Sequence, residues 1–177
     1  MNTSFFGLRK SIIVENAENV VLIHVEVCEM SFLLTREQRK KLIDELNRGV
    51  AREITAIIQY SYHHVMAEGM ESPAISEMFE KVALEEMDHL EEFSDRINYL
   101  GGVPTTKPNP IKVGGSLQEM VKADLELEYE AIRMYKGQIA VVREIGDTTT
   151  RLMLEKILTT EEEHADKWET VLKKHVK

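Results

Sequence analysis

Glutamate and histidine stand three residues apart twice in this chain, at Glu86–His89 and Glu161–His164. Glu86 follows Glu53 by 33 residues, and Glu161 follows Glu128 by 33. On a helix, side chains at i and i+3 project from adjacent turns of one face, so each pair can hold one ion together. Four carboxylates carry −4, which two divalent cations match, and two neutral imidazoles add nitrogen ligands. Oxygen and imidazole without sulfur suit iron or manganese, with zinc also open. One Glu-x-x-His is expected about once by accident in so glutamate-rich a chain, so the spacing alone decides little. The case rests on where all six residues fall among the apolar positions.

The elements that must position them are well punctuated. Thr35–Gln38 (TREQ) is a capping box, and helical periodicity runs from there to about Glu68, where Gly69 stops it. Ser72-Pro73 supplies an N-cap and first-turn proline for a second helix to Leu100, ended by Gly101-Gly102. Residues 101–115 hold three of the four prolines and cannot be helix. Ser116–Glu119 (SLQE) is a second capping box, opening a third helix to about Ile145. Gly146-Asp147 is a stop followed by a cap, and a fourth helix runs nearly to Lys177. Helices of about 30 residues are ~45 Å long. The expected fold is all-α: an antiparallel four-helix bundle over residues 35–177, two αα-hairpins joined by a long connection that crosses from one end to the other. Residues 1–34 lie outside this plan. They are either a strand or arm, since VVLIHVEV (20–27) has strand-like composition, or they precede a start at Met30, the reading preferred here.

Each helix carries one inward stripe with steps of three or four. The stripes include Val50, Glu53, Ile57, Tyr60 and His64 in the first helix and Val82, Glu86, His89 and Phe93 in the second. The third contributes Leu125, Glu128, Ile132 and Tyr135, and the fourth Ile157, Glu161, His164 and Trp168. The first hairpin turns near Met70, 17 residues after Glu53 and 16 before Glu86; the second turns near Gly146, 18 after Glu128 and 15 before Glu161. Partners therefore lie level, roughly 25 Å from the turns, and the six groups converge at mid-bundle. Carboxylates buried there demand compensating cations. His63 and His64 are expected in ordinary core or surface roles, with His64 on the stripe.

The formal charge of −9 argues against nucleic acid and anionic membranes as partners and for attraction of cations. One cysteine, Cys28, excludes a disulfide within the chain and a four-cysteine metal ribbon. The apolar pieces of the N-terminus are broken by Lys10, Glu15 and Glu18, a poor signal peptide and too short to span a bilayer, so the cytoplasm is expected.

From about Thr35 to Lys174 the sequence resembles the ferritin-like superfamily, and bacterioferritin most. REITAIIQYSYHH (52–64), LEEMDH (84–89) followed by LGGVP (100–104), DLELE (124–128) and TEEEHADKWETVL (160–172) carry the likeness. The resemblance implies a di-iron ferroxidase centre. Glu86 and Glu161 would bridge two irons, with Glu53 and His89 on one and Glu128 and His164 on the other. Ferrous iron would be oxidised by dioxygen or hydrogen peroxide and stored as ferric iron. Tyr60 matches a family tyrosine beside the centre that orients a carboxylate or donates an electron, and a plain core tyrosine fits it as well. Met87 falls where bacterioferritins place a haem-ligand methionine at a two-fold interface, which implies haem and a homo-oligomer. The chain stops at VLKKHVK, without the family's short fifth helix, so a dimer or a smaller shell fits as well as a 24-subunit cage. A di-iron oxidase or peroxidase that stores nothing, like a rubrerythrin core, is the alternative function. A structural bundle whose seam charges pair or bind zinc is another.

Overall fold

The computed structural model describes residues 12–16, 19–23 and 34–174. Four long helices follow one another: α1 (Arg36–Met66), α2 (Ser72–Tyr99), α3 (Leu117–Ile145) and α4 (Thr148–Lys174). A separate compact unit contains an antiparallel pair of strands, β1 (Ile12–Asn16) and β2 (Asn19–Ile23), with Ile12 opposite Ile23 and Asn16 opposite Asn19. Residues 24–27 of the expected strand, and Met30, lie outside the described residues.

Local chemistry sets the helix ends. Thr35 accepts from the Gln38 N–H, and Gln38 Oε1 accepts from the Thr35 N–H at 2.8 Å. Ser116 and Glu119 do the same at the start of α3. Both capping boxes are thus formed. Gly146 ends α3 at φ 87°, in the left-handed region that glycine enters without a Cβ clash. Asp147 accepts from the Thr150 N–H at 3.1 Å and takes the Arg96 guanidinium at 2.7 and 2.9 Å, tying the end of α2 to the start of α4. The expected cap at Ser72 is corrected. Ser72 already lies in α2, Glu71 holds the cap position, and the Ser72 hydroxyl donates back to the Gly69 carbonyl.

Helix α1 pairs with α2 and α3 with α4, and the connection crosses the bundle lengthwise, as expected. It is strapped along α1 by one polar row. Asn47 bonds Val103 and Thr105, Thr55 accepts from the Asn109 N–H, Gln59 from the Lys112 N–H, and His63 Nε2 from the Gly114 N–H. Asn47, Thr55, Gln59 and His63 all fall on one line of every-fourth positions, so ~24 Å of α1 is covered from the side. This strap corrects the first stripe: His63, not His64, is the buried histidine, and Arg52 and Gln59 are buried while Ile57 is only partly so.

The core has two apolar halves. One contains Leu46, Val50, Phe93, Ile97, Tyr135 and Leu154; the other contains Tyr60, Phe79, Val82, Val121 and Trp168. Among the described residues no helix is long and apolar enough to cross a membrane.

Candidate metal centre

A charged layer separates these halves. Glu53 comes from α1, Glu86 and His89 from α2, Glu128 from α3, and Glu161 and His164 from α4; five are fully buried and His89 is nearly so. Their ligand atoms form two overlapping groups, each with atoms within 4.8 Å of one another. Glu53, Glu86, His89 and Glu161 make the first. Glu86, Glu128, Glu161 and His164 make the second, so Glu86 and Glu161 belong to both. All six residues singled out by spacing and stripe are brought together.

The imidazoles face the layer through Nδ1. His89 Nδ1 lies 3.0 Å from Glu86 and 3.2 Å from Glu161. His164 Nδ1 lies 3.4 Å from Glu86 Oε1 and 3.9 Å from Glu128 and Glu161, buried without a hydrogen bond. Its Nε2 donates to Glu85 Oε2 at 2.7 Å. A carboxylate only accepts, so Nε2 carries a hydrogen, and in the neutral ring Nδ1 turns a lone pair to the layer.

Two tyrosines hold the outer glutamates reciprocally. Tyr60 of α1 donates to Glu128 of α3, and Tyr135 of α3 donates to Glu53 of α1. Each tyrosine stands seven residues after the glutamate of its own helix, a repeat visible in the sequence that would have singled out Tyr135 as well as Tyr60. Seven residues beyond Glu86 and Glu161 stand Phe93 and Trp168, which pack on Tyr135 and Tyr60 at ring distances of 5.6 and 5.9 Å. Only Trp168 has an N–H to give, and it donates to the Tyr60 hydroxyl at 2.8 Å. Met87 is not part of this cluster. It is 51% exposed on the outside of α2.

Arg52 was not anticipated. Its guanidinium is buried amid all four carboxylates. Nη1 lies 2.7 Å from Glu53, 2.8 Å from Glu86 and 3.3 Å from Glu161; Nη2 bonds Glu128 and lies 3.0 Å from Glu161. Arg52 precedes a stripe residue rather than lying on the stripe.

Burial dominates the electrostatics. It pushes the Glu53 carboxyl up to about 8, against the pull of Arg52, with the Glu86 charge adding to the rise. Glu161 is driven well up by burial and by Glu86, Glu128 and Glu53, which together outweigh Arg52. Burial opposes ionisation of Glu86 too, yet Arg52 and the two histidines hold it well below the usual carboxylate range. Both histidines rise, because Glu86 overcomes their burial. The layer therefore shares protons, which a cation bound there must displace.

A second buried pair lies one turn along α3. Asp124 takes His63 Nδ1 at 2.9 Å and the Gln59 amide at 2.8 Å. Burial pushes its carboxyl up to about 6 despite these donors.

The family model of the ferritin-like domain matches residues 43–176. The chain belongs to the ferritin-like family. A bacterioferritin of Mycobacterium leprae is 39% identical over 128 residues, which cover 72% of this chain and 80% of that relative. Among solved structures, a ferritin-like diiron-carboxylate protein of Bacillus anthracis superposes with a TM-score of 0.75 at 28% identity, covering 78% of this chain and 99% of that one. A Rhodobacter capsulatus bacterioferritin, described with a metal-free dinuclear site and a haem iron, gives 0.69 at 29% identity, covering 74% and 82%. The all-α bundle of this ferritin-like chain is thus the architecture of its relatives.

Proposed function

We propose that this chain binds two ferrous ions in its four-glutamate, two-histidine layer, oxidises them with dioxygen or hydrogen peroxide, and stores the ferric product in a homo-oligomer. The observation that carries the reading is the pair of overlapping ligand groups sharing Glu86 and Glu161. The donor set fits iron: buried carboxylate oxygens, plus an imidazole nitrogen aimed inward with no hydrogen bond. Two ferrous ions side by side give one oxidant two electrons.

The chain's own residues do the positioning. Glu86 and Glu161 serve both groups, while Glu53 with His89 and Glu128 with His164 complete one each. Tyr60 and Tyr135 each occupy one oxygen of an outer glutamate and leave the other facing the layer. Glu85 fixes the ring of His164. Met87, exposed on α2, is the residue that would ligate haem against a second copy, a reading supported by the haem iron of the Rhodobacter capsulatus relative.

Ferrous oxidation by wild type and by the Glu53→Ala/Glu128→Ala double variant tests the site. Wild type is expected to oxidise iron and the variant to match the buffer rate; equal rates in the two proteins would sink the assignment. Light scattering tests storage, which needs a particle of about 12 or 24 copies of the 20.4 kDa chain. A dimer would leave no cavity for mineral.

A further inference from the structure

We infer that Arg52 and divalent metal compete for the same four carboxylates, so that the guanidinium must leave the layer as metal enters. The inference rests on the metal-binding reading above. Its basis is the way the guanidinium divides itself. Nη1 contacts Glu53, Glu86 and Glu161, the carboxylates of the first ligand group, and Nη2 contacts Glu128 and Glu161 of the second. One nitrogen thus stands in each group.

The two kinds of cation cannot share this space. A transition metal sits about 2.0–2.2 Å from a carboxylate oxygen. The Arg52 nitrogens lie 2.7–3.0 Å from the same oxygens of Glu53, Glu86 and Glu161. An ion so placed would overlap a guanidinium nitrogen, and the guanidinium cannot relieve the repulsion by losing its proton. Arg52 also satisfies the layer incompletely. Its own Nε is buried without a hydrogen bond, and with the guanidinium in place Glu86 Oε1 and His164 Nδ1, 3.4 Å apart, also make none. Metal takes up the two acceptors and brings +4 against the carboxylates where arginine brings +1. Arg52 therefore holds the four glutamates together until metal arrives, and it sets the concentration at which metal displaces it.

Zinc is the probe, because it binds such donors without redox chemistry. Calorimetric titration of the full chain should show Arg52→Met binding zinc about tenfold tighter or more, the equivalent of losing one charge-assisted competitor. Arg52→Met should also melt at a lower temperature than wild type before zinc is added, and Arg52→Lys should fall between the two in affinity. Zinc affinity in Arg52→Met equal to or weaker than wild type overturns the inference. A crystal of zinc-loaded wild type is the check that needs no variant. Zinc at the six residues with Arg52 turned away supports it, and zinc with Arg52 still on the carboxylates overturns it alone. Wild type that takes up no zinc at these residues sinks the metal-centre reading and this inference together.

Discussion

Glu85 offers the sharpest test of how the layer is tuned from outside. Its carboxylate receives the His164 Nε2–H at 2.7 Å and touches nothing else in the charged layer, while Lys167 at 3.4 Å and Lys81 at 3.8 Å neutralise it from the surface. Removing it in Glu85→Ala frees the His164 ring to turn or to move its hydrogen to Nδ1, either of which takes a ligand from the second group. A charge-assisted hydrogen bond contributes about 1.5–3 kcal/mol. The Glu85 side chain is 31% exposed, so the lower end applies, ~1.5 kcal/mol or about a tenfold weaker metal site. Only one of two metals should be affected, because the His89 group makes no contact with Glu85 among the described residues. Glu85→Gln keeps an acceptor for the Nε2–H and should keep most of the affinity. Zinc calorimetry that resolves two binding steps reads this directly. If Glu85→Ala left both steps unchanged, or weakened both alike, orientation of His164 would not be its role.

Three further expectations follow from packing and protonation. In Gly49→Ala the new Cβ would sit 2.4 Å from Phe93 Cε1, and Phe93 is fully buried against Tyr135, so a cost of ~1–3 kcal/mol is expected, lowering Tm by about 2–4 °C per kcal/mol. An unchanged Tm would show that the ring has room to retreat. Tyr60→Phe strands both Trp168 Nε1 and a Glu128 oxygen, whereas Tyr135→Phe strands only a Glu53 oxygen, so denaturant melts should find Tyr60→Phe costlier by ~1 kcal/mol or more. Asp124 has a folded pKa of about 6 against 3.8 as its ordinary value, so between those pH values the folded chain holds a proton that the unfolded chain has lost. Stability therefore falls as pH rises through that window, by on the order of 3 kcal/mol, and stays lowered above it. Asp124→Asn should remove this slope, and wild-type and variant stability curves that run parallel from about pH 4 to 7 would contradict it.

What was legible in the sequence, and what was not, divides along one physical line. Glu53, Glu86, His89, Glu128, Glu161 and His164 lie on stripes whose other members are apolar, and a stripe reports burial against neighbouring helices. The capping boxes at Thr35 and Ser116 are local and were read from four residues each. Arg52 was illegible because an arginine beside a stripe, and not on it, reads as solvent-facing; Gln59 and His63 were illegible because α1 is buried on a second side as well. There the cover is the connection, which meets α1 through backbone N–H groups and carbonyls rather than through apolar side chains. No hydrophobic period marks that face. Asp124 belongs with Gln59 and His63, which are its partners. Tyr135 is different. It was readable from the internal repeat, seven residues beyond Glu128 as Tyr60 is beyond Glu53, and was overlooked as ordinary core.

The same architecture explains how a bundle tolerates four glutamates at its centre. Apolar clusters above and below the layer hold the four helices at fixed spacing, so the carboxylates cannot relax away from one another into water. Each is costly to bury charged. Two compensations lie within the chain itself: burial pushes the Glu53 and Glu161 carboxyls toward the protonated form, and the guanidinium of Arg52 sits among all four. Both are exchangeable for metal, a proton by release and a guanidinium by rotation of a flexible stem. A layer built only of glutamate and histidine would have protons alone to offset its charge before metal binds. With Arg52 among them, the chain can fold first and bind iron afterwards, which a protein that takes up iron after folding must do.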